Sequence, residues 1–371
     1  MKPEPKTDRE STAGRPQSLP SDASSLPASP PLLVRGADIS SLKKSEDKGG
    51  VYAYEDGRQA DALEILKEHG LNHARLRVWV NSPDGYHGKS QLLELARRLQ
   101  KYKIKLLVDF HYADSWADPG KQPKPAAWAD LDFEGLKQAV YDHTVDICQS
   151  LKEQGTAADM VQLGNEITNG LLWPDGKNDQ SFDNLSVLLR EGVRAVKDWS
   201  PETEIMLQLD NGGNNKMYHW WFDRIMERHV SFDLIGVSYY PYWHGTLSDL
   251  QHNLNDIAAR YDKDIIVVET AYPFAPANPN NYGDLKPFDE SPGYPFTPEG
   301  QARMLAAIMN IVRAVPKRHG LGVMWWDATW TDVPGNGWDP SEPSSVNNWS
   351  NQALFDFQNR ALPAMSLFHE S

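Results

Sequence analysis

The sequence has almost no cysteine and no long apolar run. Cys148 is the only cysteine among 371 residues, which excludes an intrachain disulfide and a zinc site built from several cysteines. No stretch approaches the ~18 consecutive apolar residues that a membrane helix needs, and the N-terminus lacks the apolar segment of a signal peptide. We therefore expect a soluble chain without a membrane anchor, whose redox compartment stays undetermined.

Positive charge is scarce as well. Lys and Arg number 37 against 51 Asp and Glu, so the formal net charge is −14. An acidic surface repels nucleic acid and anionic membranes, and it favours a neutral or cationic ligand. The apolar fraction is 40%, and 13 Trp stand beside 14 Tyr. The chain can therefore build a large core and still line a surface groove with aromatic rings, which suits a neutral polymer.

Motifs for several hydrolase and metal chemistries are missing from the sequence. No Gly-x-Ser-x-Gly turn is present, which disfavours a Ser–His–Asp hydrolase. His111, His244 and His252 do not share a ligand spacing, and the acidic segment 284–290 lacks the alternating oxygens of a calcium loop. We predict no metal and no cofactor, with a calcium ion in that segment as the alternative.

The first 31 residues differ in composition from the rest of the chain. The segment 1–31 is rich in Pro, Ser and charge and contains no aromatic residue. Such a composition buries too little apolar surface to offset the entropy of ordering the chain. We predict a disordered tail at 1–31, or a linker, followed by one catalytic domain at 32–371.

Short β-branched runs alternate with amphipathic stretches through the rest of the chain. Among the amphipathic stretches, helical periodicity is found in Gln91–Tyr102, Glu134–Lys152, Phe182–Trp199, Leu247–Tyr261 and Pro298–Val315. Eight short runs are present: Leu33–Ser40, His73–Val80, Ile104–Tyr112, Met160–Ile167, Glu204–Asn211, Leu234–Trp243, Asp264–Tyr272 and Gly322–Trp330. Strands that alternate with helices pair in parallel, and eight such units close a barrel. We predict a single (β/α)8 TIM barrel in the α/β class; a doubly wound open sheet is the alternative, disfavoured because no Gly-rich turn follows the first run.

Each short run ends in polar or aromatic residues. In a barrel these ends ring one pocket, so the residues converge in space although they are scattered in sequence. We expect Asp109, His111 and Asp210, which end the third and fifth runs, to contact the substrate. A long connection at 273–298 follows the seventh run and is rich in Pro, Asn, Gly and Tyr. Because unstructured loops of such length are usually functional, we expect it to wall the groove.

Two glutamates end the fourth and seventh runs. Glu166 closes the tripeptide that begins at Gly164, and Glu269 closes the apolar run 265–268. A carboxyl group that ends such a buried run costs free energy unless it has a function. Carboxyls on strands four and seven of an eight-stranded barrel face each other across its mouth, as a glycosidase requires. One of the two must carry a proton while the other stays ionised.

Three neighbouring side chains are candidates for tuning this pair. Asn165 can donate its amide to a sugar 2-hydroxyl, a contact that strengthens as the oxocarbenium-like transition state forms. Arg77 can keep Glu269 charged through a charge-assisted hydrogen bond, unless it is only a structural salt-bridge partner. Tyr239 or Tyr240 can orient the same carboxylate, and alternation along the strand lets only one of them point inward; we favour Tyr240.

Several tryptophans lie near the ends of the predicted strands. Trp116, Trp243, Trp326 and Trp330 are each compatible with a core aromatic. Their grouping near strand ends favours a second interpretation, in which they are stacking platforms for pyranose rings. We therefore include all four in the predicted sugar-binding groove.

Six sequence blocks are specific enough to indicate a family. They are Arg35–Ser41, Arg77–Asn81, Asp109–Gln122, Gly164–Ile167, Gly236–Pro241 and Val267–Thr270. These blocks resemble glycoside hydrolase family 53, the arabinogalactan endo-β-1,4-galactanases of clan A, and the similarity runs from about Val34 to the C-terminus. The resemblance implies a (β/α)8 barrel, net retention, Glu166 as proton donor and Glu269 as nucleophile. It also implies the unbranched β-1,4-galactan side chains of pectin as substrate.

The chain departs from the family pattern at the end of the eighth run. The family usually reads Trp-Glu-Pro-Ala-Trp there, whereas this chain reads Trp326-Asp327-Ala328-Thr329-Trp330, which keeps both Trp but shortens the acid. The family resemblance implies an extracellular enzyme, although no signal peptide is visible. We expect a monomer, because the substrate is a bulky polymer.

Two other functions remain open at this stage. The same barrel chemistry could act on another β-1,4-linked polysaccharide such as mannan or glucan, because the catalytic pair does not itself recognise the sugar. A non-catalytic glycan-binding barrel is the alternative from a different class, and the presence of both glutamates disfavours it.

Overall fold

The computed structural model describes residues 31–277 and 289–369. Its main sheet has eight strands: β1 (Val34–Asp38), β2 (His73–Val78), β3 (Lys105–Phe110), β4 (Met160–Leu163), β5 (Glu204–Leu209), β6 (Leu234–Ser238), β7 (Asp264–Glu269) and β8 (Gly320–Trp325). Each strand pairs in parallel with the next one, and β8 pairs with β1 to close the barrel. The predicted (β/α)8 barrel is therefore confirmed.

Eight α-helices lie in the described part of the chain. They are α1 (Leu42–Asp47), α2 (Ala62–Glu68), α3 (Lys89–Lys101), α4 (Phe133–Glu153), α5 (Asp183–Trp199), α6 (Asn215–Glu227), α7 (Leu247–Tyr261) and α8 (Pro298–Arg313). The five helices read from periodicity correspond to α3, α4, α5, α7 and α8. The strands end earlier than predicted, because the polar residues at the end of each run leave the hydrogen-bonded ladder and form the loops at the barrel mouth.

Capping residues set where the helices on the last part of the barrel begin. Before α7, the Thr246 hydroxyl accepts a hydrogen bond from the Asp249 amide while the Asp249 carboxylate accepts one from the Thr246 amide. Before α8, the Thr297 side chain accepts from the Gly300 amide, and Pro298 occupies the first turn. These bonds satisfy amides that have no partner within the helix.

The barrel interior is filled by apolar side chains on its lower half. The cluster consists of Val34, Leu107, Met160, Met206, Leu234, Ile266, Val268 and Met324. Alternate residues, such as Val161 and Leu207, point outward and pack in the larger core under the helices. Above the interior cluster the inward positions turn polar, for example Arg75, Gln162 and Gln208, all fully buried. The hydrophobic core thus ends where the site begins.

A register irregularity in β7 decides the direction of Glu269. Ile266 and Val268 belong to the interior cluster, whereas Ile265 and Val267 pack outside, so simple alternation would point Glu269 outward. The register with β6 shifts at this point: Val237 is opposite Val267, but Ser238 is opposite Glu269, whereas an unbroken register would put it opposite Val268. This β-bulge turns the carboxyl to the barrel mouth, as bulges beside active sites often do.

Some predictions concern residues that the structure does not describe. The predicted disordered tail at 1–31 lies outside the described residues apart from its last position. Most of the alternative calcium segment 284–290 falls on residues 278–288, which are also outside, and so does the middle of the predicted groove wall at 273–298. Among the helices at 31–277 and 289–369, none is long and apolar enough to cross a membrane.

Candidate active site

A cavity of about 570 Å³ opens at the C-terminal mouth of the barrel. It contains every predicted site residue except Asp109: Arg77, His111, Trp116, Asn165, Glu166, Asp210, Tyr240, Trp243, Glu269, Trp326 and Trp330. The two glutamates therefore lie in one shared cavity. Further lining residues that the sequence did not single out include Arg75, His244, Trp338, Asn348 and Trp349.

Glu269 is held by a cation on one oxygen and a phenol on the other. Its Oε1 lies 2.8 Å from a guanidinium nitrogen of Arg75, and both side chains are almost fully buried. The Tyr240 hydroxyl donates to Oε2 at 3.0 Å. The contact predicted for Tyr240 is present, whereas the hydroxyl of Tyr239 donates to the Gly245 carbonyl at 2.9 Å.

The prediction that Arg77 is the partner of Glu269 is wrong. Arg77 pairs with Asp327, with a nitrogen–oxygen distance of 2.9 Å, and its guanidinium carbon lies 4.2 Å from the ring centroid of Trp116. Arg75 precedes Arg77 by two positions in β2, so both side chains point into the barrel. Arg75 is the deeper of the two and is the one that reaches Glu269. Arg77 instead forms part of the side wall of the cavity, next to Trp116.

Arg75 is the central cation beneath the cavity. Its guanidinium lies 3.0 Å from Asp38 and 2.8 Å from Asp109, in addition to Glu269. It also donates to the side-chain oxygens of Gln162 at 3.2 Å and Asn165 at 2.9 Å. One fully buried cation thus shares its charge among three carboxylates.

The prediction that Asp109 contacts the substrate is also wrong. Asp109 has no exposed surface and does not line the cavity. Its two oxygens are occupied by Arg75, by the amide of Gln162 at 2.7 Å and by the ring of His111 at 3.0 Å. Asp109 is still within β3, which ends one residue later, and it therefore lies below the cavity floor. From there it orients the side chains beneath the site.

Glu166 sits on a sharp turn immediately after β4. Its backbone has φ 45° and ψ 55°, in the left-handed region, and Gly164 before it has φ 87°. A non-glycine residue in this region is strained and needs support from its surroundings. The side-chain oxygen of Gln208 accepts a hydrogen bond from the Glu166 amide, and Asn165 donates to the Ala117 carbonyl at 2.8 Å.

The surroundings raise the pKa of both glutamates for different reasons. Burial raises the pKa of Glu166 well above its ordinary value, and the carboxylates of Glu269 and Asp210 raise it further. Burial also raises the pKa of Glu269, to about 7, but the charge of Arg75 opposes this shift. The cation beside Glu269 favours its ionised form, whereas the anions beside Glu166 favour its protonated form. The pair is therefore arranged with the proton on Glu166.

Two groups of aromatic rings form the walls of the cavity. On one side Trp116 stacks with Trp338 at a centroid distance of 5.1 Å and with Trp330 at 5.9 Å. On the other side Trp349 packs edge-on against Trp326 at 4.8 Å, and Trp243 remains 57% exposed at the rim. All six rings line the cavity. Apolar faces flanking two carboxyls suit a ligand with pyranose rings.

The site residues that the sequence missed fall into two classes. Arg75 carried a readable signal, because it lies on the same strand face as Arg77. Trp338 and Trp349 carried none, because they lie in the irregular segment after β8, which crosses back to the cavity only in three dimensions. Within residues 31–277 and 289–369, no group of three or more His, Cys, Asp or Glu is arranged to hold a metal ion.

Comparison with known proteins identifies the family. The sequence profile of glycosyl hydrolase family 53 matches residues 34–368. The chain belongs to this family. It is therefore a glycosidase on a (β/α)8 barrel, and the resemblance noted from the six sequence blocks is confirmed.

Relatives of this family-53 enzyme come from both fungi and bacteria. It is 36% identical to an arabinogalactan endo-beta-1,4-galactanase A from Emericella nidulans over 87% of this chain and 92% of the relative. It is 32% identical to an endo-beta-1,4-galactanase from Bacillus subtilis over 91% of this chain and 85% of the relative. Among solved structures, a GH53 catalytic domain from Ignisphaera aggregans has a TM-score of 0.87 and 38% identity, covering 92% of this chain and 97% of that one.

Proposed function

We propose that this enzyme cuts β-1,4-galactan internally with net retention of configuration. In this proposal Glu269 is the nucleophile and Glu166 is the acid/base. Membership of family 53 supports the substrate class, since relatives that the chain matches over most of their length are named galactanases. The unbranched galactan side chains of pectin are the natural form of this polymer that we propose as substrate.

The observation that carries the proposal is the unequal environment of the two glutamates in one cavity. Arg75 and Tyr240 contact Glu269 and favour a carboxylate ready to attack. At Glu166 burial and the carboxylates of Glu269 and Asp210 outweigh the smaller effect of Arg75 and favour the protonated form. Retaining glycosidases need one carboxyl in each of these states at the start of the reaction.

The proposed reaction has two displacement steps. A Glu269 oxygen attacks the anomeric carbon while the glycosidic bond breaks; its electron pair goes to the leaving oxygen, which takes the proton of Glu166. In the second step the Glu166 carboxylate takes a proton from water. The water oxygen bonds to the anomeric carbon, and Glu269 leaves as a carboxylate. One water molecule is consumed for each linkage cut, and both glutamates return to their starting states.

The remaining polar lining residues differ in their proposed contacts with the sugar. Asn165 lines the cavity with one amide proton directed to Ala117, and its second amide proton can serve the 2-hydroxyl. His111 lines the cavity with both ring nitrogens engaged, since Nε2 bonds Asp109 and Nδ1 accepts from the Ala117 amide, so we propose that it contacts the sugar through its ring face. Asp210 also lines the cavity, but its Oδ1 accepts a hydrogen bond from the Thr168 hydroxyl, so we do not propose the predicted sugar contact for it. Trp116, Trp243, Trp326 and Trp330 are proposed as stacking surfaces.

The substrate is tested by measuring reducing-sugar release from purified linear galactan, mannan, xylan and β-glucan at equal concentration. We expect galactan to be cut fastest, with a drop in viscosity that precedes most sugar release, as internal cleavage produces. Proton NMR of the first products should show the β-anomer at the new reducing end. Faster cleavage of mannan or glucan would refute the substrate, and an initial α-anomer would refute retention.

The roles of the two glutamates are tested separately with two alanine variants. Glu269→Ala should lose about 10⁴-fold or more in kcat, since no covalent step remains. Glu166→Ala should lose much less on an activated aryl galactoside than on the polymer, and added azide should restore its turnover by replacing water. Restoration of Glu269→Ala but not of Glu166→Ala, with retained configuration, would reverse the assignment.

We further propose that the enzyme works outside the cell as a monomer. A polysaccharide of plant cell walls cannot enter a cell intact, and an enzyme that meets it one chain at a time has no need of a second copy. Size-exclusion chromatography with light scattering should give one chain's mass, 41.8 kDa. A stable dimer, or activity found only inside the producing cells, would overturn these two points.

A further inference from the structure

The side chain of Asp210 is bonded to the turn that carries Glu166. Asp210 follows β5, and its Oδ1 accepts a hydrogen bond from the hydroxyl of Thr168, two residues after Glu166. Its backbone carbonyl accepts from the hydroxyl of Tyr218 on α6 at 3.1 Å, which fixes Asp210 in turn. The carboxylate thus reaches the turn of Glu166 from the neighbouring strand, and both residues line the cavity.

The turn at Glu166 depends on bonds of this kind. The backbone of Glu166 is in the left-handed conformation, which residues other than glycine adopt only when their surroundings impose it. Asn178 donates to the Thr168 carbonyl at 2.9 Å, and Trp221 donates to the Ile167 carbonyl at 3.1 Å. These two bonds are made by neutral groups. Asp210 also makes a hydrogen bond to this turn, and unlike the other two partners it places a negative charge beside the turn.

Charged and titratable groups face Glu166 from every side of the cavity. Those that affect its ionisation or line the cavity with it are Arg75 and Arg77 on β2, His111 after β3, Asp118 before α4, Asp210 after β5, Tyr218 on α6, Tyr240 and His244 after β6, and Glu269 on β7. Arg75 is already paired with three carboxylates. The hydroxyl of Ser238 favours the ionised form of Glu166, whereas Glu269 and Asp210 disfavour it.

The two opposing carboxylates differ during the reaction. If the proposed double displacement holds, the charge on Glu269 disappears once its oxygen is bonded to the sugar. Asp210 takes no part in that bond, so its charge persists through both steps. Burial raises the pKa of Asp210 itself, while the hydrogen bond from the Thr168 hydroxyl opposes this shift and favours its ionised form.

We propose that Asp210 is a positioning residue that holds Glu166 in place and keeps it protonated for the first step. Its carboxylate orients the turn through Thr168, and its charge opposes ionisation of Glu166. This inference rests on the proposed function and assigns to Asp210 a role other than sugar binding. Asp210 then sets the balance between proton donation in the first step and proton abstraction in the second.

The test separates charge from hydrogen bonding with two variants. Asp210→Asn keeps an oxygen that accepts from Thr168 and removes the charge, whereas Thr168→Val removes the hydrogen bond and keeps the charge. We expect the alkaline limb of kcat/KM on linear galactan to move down by about one pH unit in Asp210→Asn. In Thr168→Val the limb should stay, while kcat falls because the turn is less well held.

Leaving-group dependence gives a second readout. Aryl β-1,4-galactobiosides of 4-nitrophenol and 2,4-dinitrophenol differ in their need for a proton donor. Asp210→Asn should lose about 10-fold more kcat/KM with 4-nitrophenol than with 2,4-dinitrophenol above neutral pH, because only the poorer leaving group needs the proton of Glu166. Circular dichroism and thermal unfolding of both variants check that the barrel is intact.

The outcomes distinguish the roles. An unmoved alkaline limb in Asp210→Asn, together with a raised KM and equal losses on both aryl substrates, means that Asp210 binds sugar and refutes the inference. A limb that moves equally in both variants means that the hydrogen bond, not the charge, controls Glu166, and also refutes it. Failure of the proposed function is seen separately, as absence of galactan cleavage by the unaltered enzyme.

Discussion

Replacement of Arg75 by methionine tests how the site is held together. Arg75 is fully buried, and its guanidinium contacts Asp38, Asp109 and Glu269 within 3.0 Å. Methionine has a similar length but no charge, so the change leaves these carboxylates without their shared cation. We expect losses in both stability and activity, and they have separate physical causes.

The stability loss follows from the uncompensated buried charges. Removing one partner of a buried ion pair costs about 3–5 kcal/mol, because the remaining charge stays desolvated without its counterion. With three carboxylates around one cation, we expect the Arg75→Met variant at the upper end, at about 5 kcal/mol of unfolding free energy. Urea unfolding followed by tryptophan fluorescence measures this directly.

The activity loss follows from the pKa of Glu269. The charge of Arg75 lowers this pKa against the effect of burial, so removing the charge raises it further above about 7. An opposite charge at such short range shifts a carboxyl pKa by roughly one to three units. Because the nucleophile must be ionised, the acid limb of kcat/KM should move up by about two pH units. At a pH on that limb the rate should fall by about 100-fold.

Arg77→Met is the matched control. Arg77 is equally buried in a pair with Asp327 but does not contact Glu269. With one close carboxylate, we expect a loss at the lower end, about 3 kcal/mol of unfolding free energy, and an acid limb that stays within about half a unit of its original position. The reasoning would be refuted if Arg75→Met left the limb in place, or if Arg77→Met moved it as far.

Three further outcomes are expected from the same geometry. Tyr240→Phe should lower kcat by about 10-fold with little change in KM, because the lost hydroxyl favours the ionised form of Glu269. The hydroxyl of Tyr239 donates to a backbone carbonyl instead, so Tyr239→Phe should keep kcat within twofold. Equal losses of kcat in the two variants would contradict this. Because the folded pKa of Glu269 is raised from 4.5 to about 7, its contribution to stability is full below pH 4.5 and is lost as pH rises through 7. The protein should thus lose about 3 kcal/mol from this group between pH 4.5 and 8, and thermal unfolding of Glu269→Gln across that range should lack this part of the decline. Gly164→Ala should lower the unfolding free energy by about 1–3 kcal/mol, because φ of Gly164 is +87° and the added Cβ would lie 2.5 Å from an Ile167 methyl carbon. A urea titration measures this loss. An unchanged unfolding free energy would mean that the turn relaxes freely.

The overall fold was readable from the sequence because it rests on local periodicity. Each of the eight short apolar runs, and each helix between them, can be recognised from a pattern that spans a few residues. Eight alternating strand–helix units predict a closed parallel barrel. The pair Glu166 and Glu269 was readable for the same reason, since both end such runs. Family 53 was readable from short blocks around these strand ends.

The partners of the catalytic pair were only partly readable. Strand alternation let only one of Tyr239 and Tyr240 point inward, and the favoured residue, Tyr240, makes the contact. Alternation allowed both Arg75 and Arg77 to point inward, and sequence gives no depth along the barrel axis, so the partner of Glu269 was assigned to the wrong arginine. Asp109 was misplaced for the same reason, because its depth puts it below the cavity floor.

The sequence alone thus determined the strand count, the barrel and which two carboxyls stand at its mouth, because these depend on patterns between neighbours in the chain. Only the tertiary structure decided the direction of Glu269, since alternation from Val268 points it outward and the bulge against β6 turns it back. It also decided that Trp338 and Trp349 return to the cavity from the segment after β8. Register shifts and loop return depend on contacts between distant residues, which no local pattern encodes.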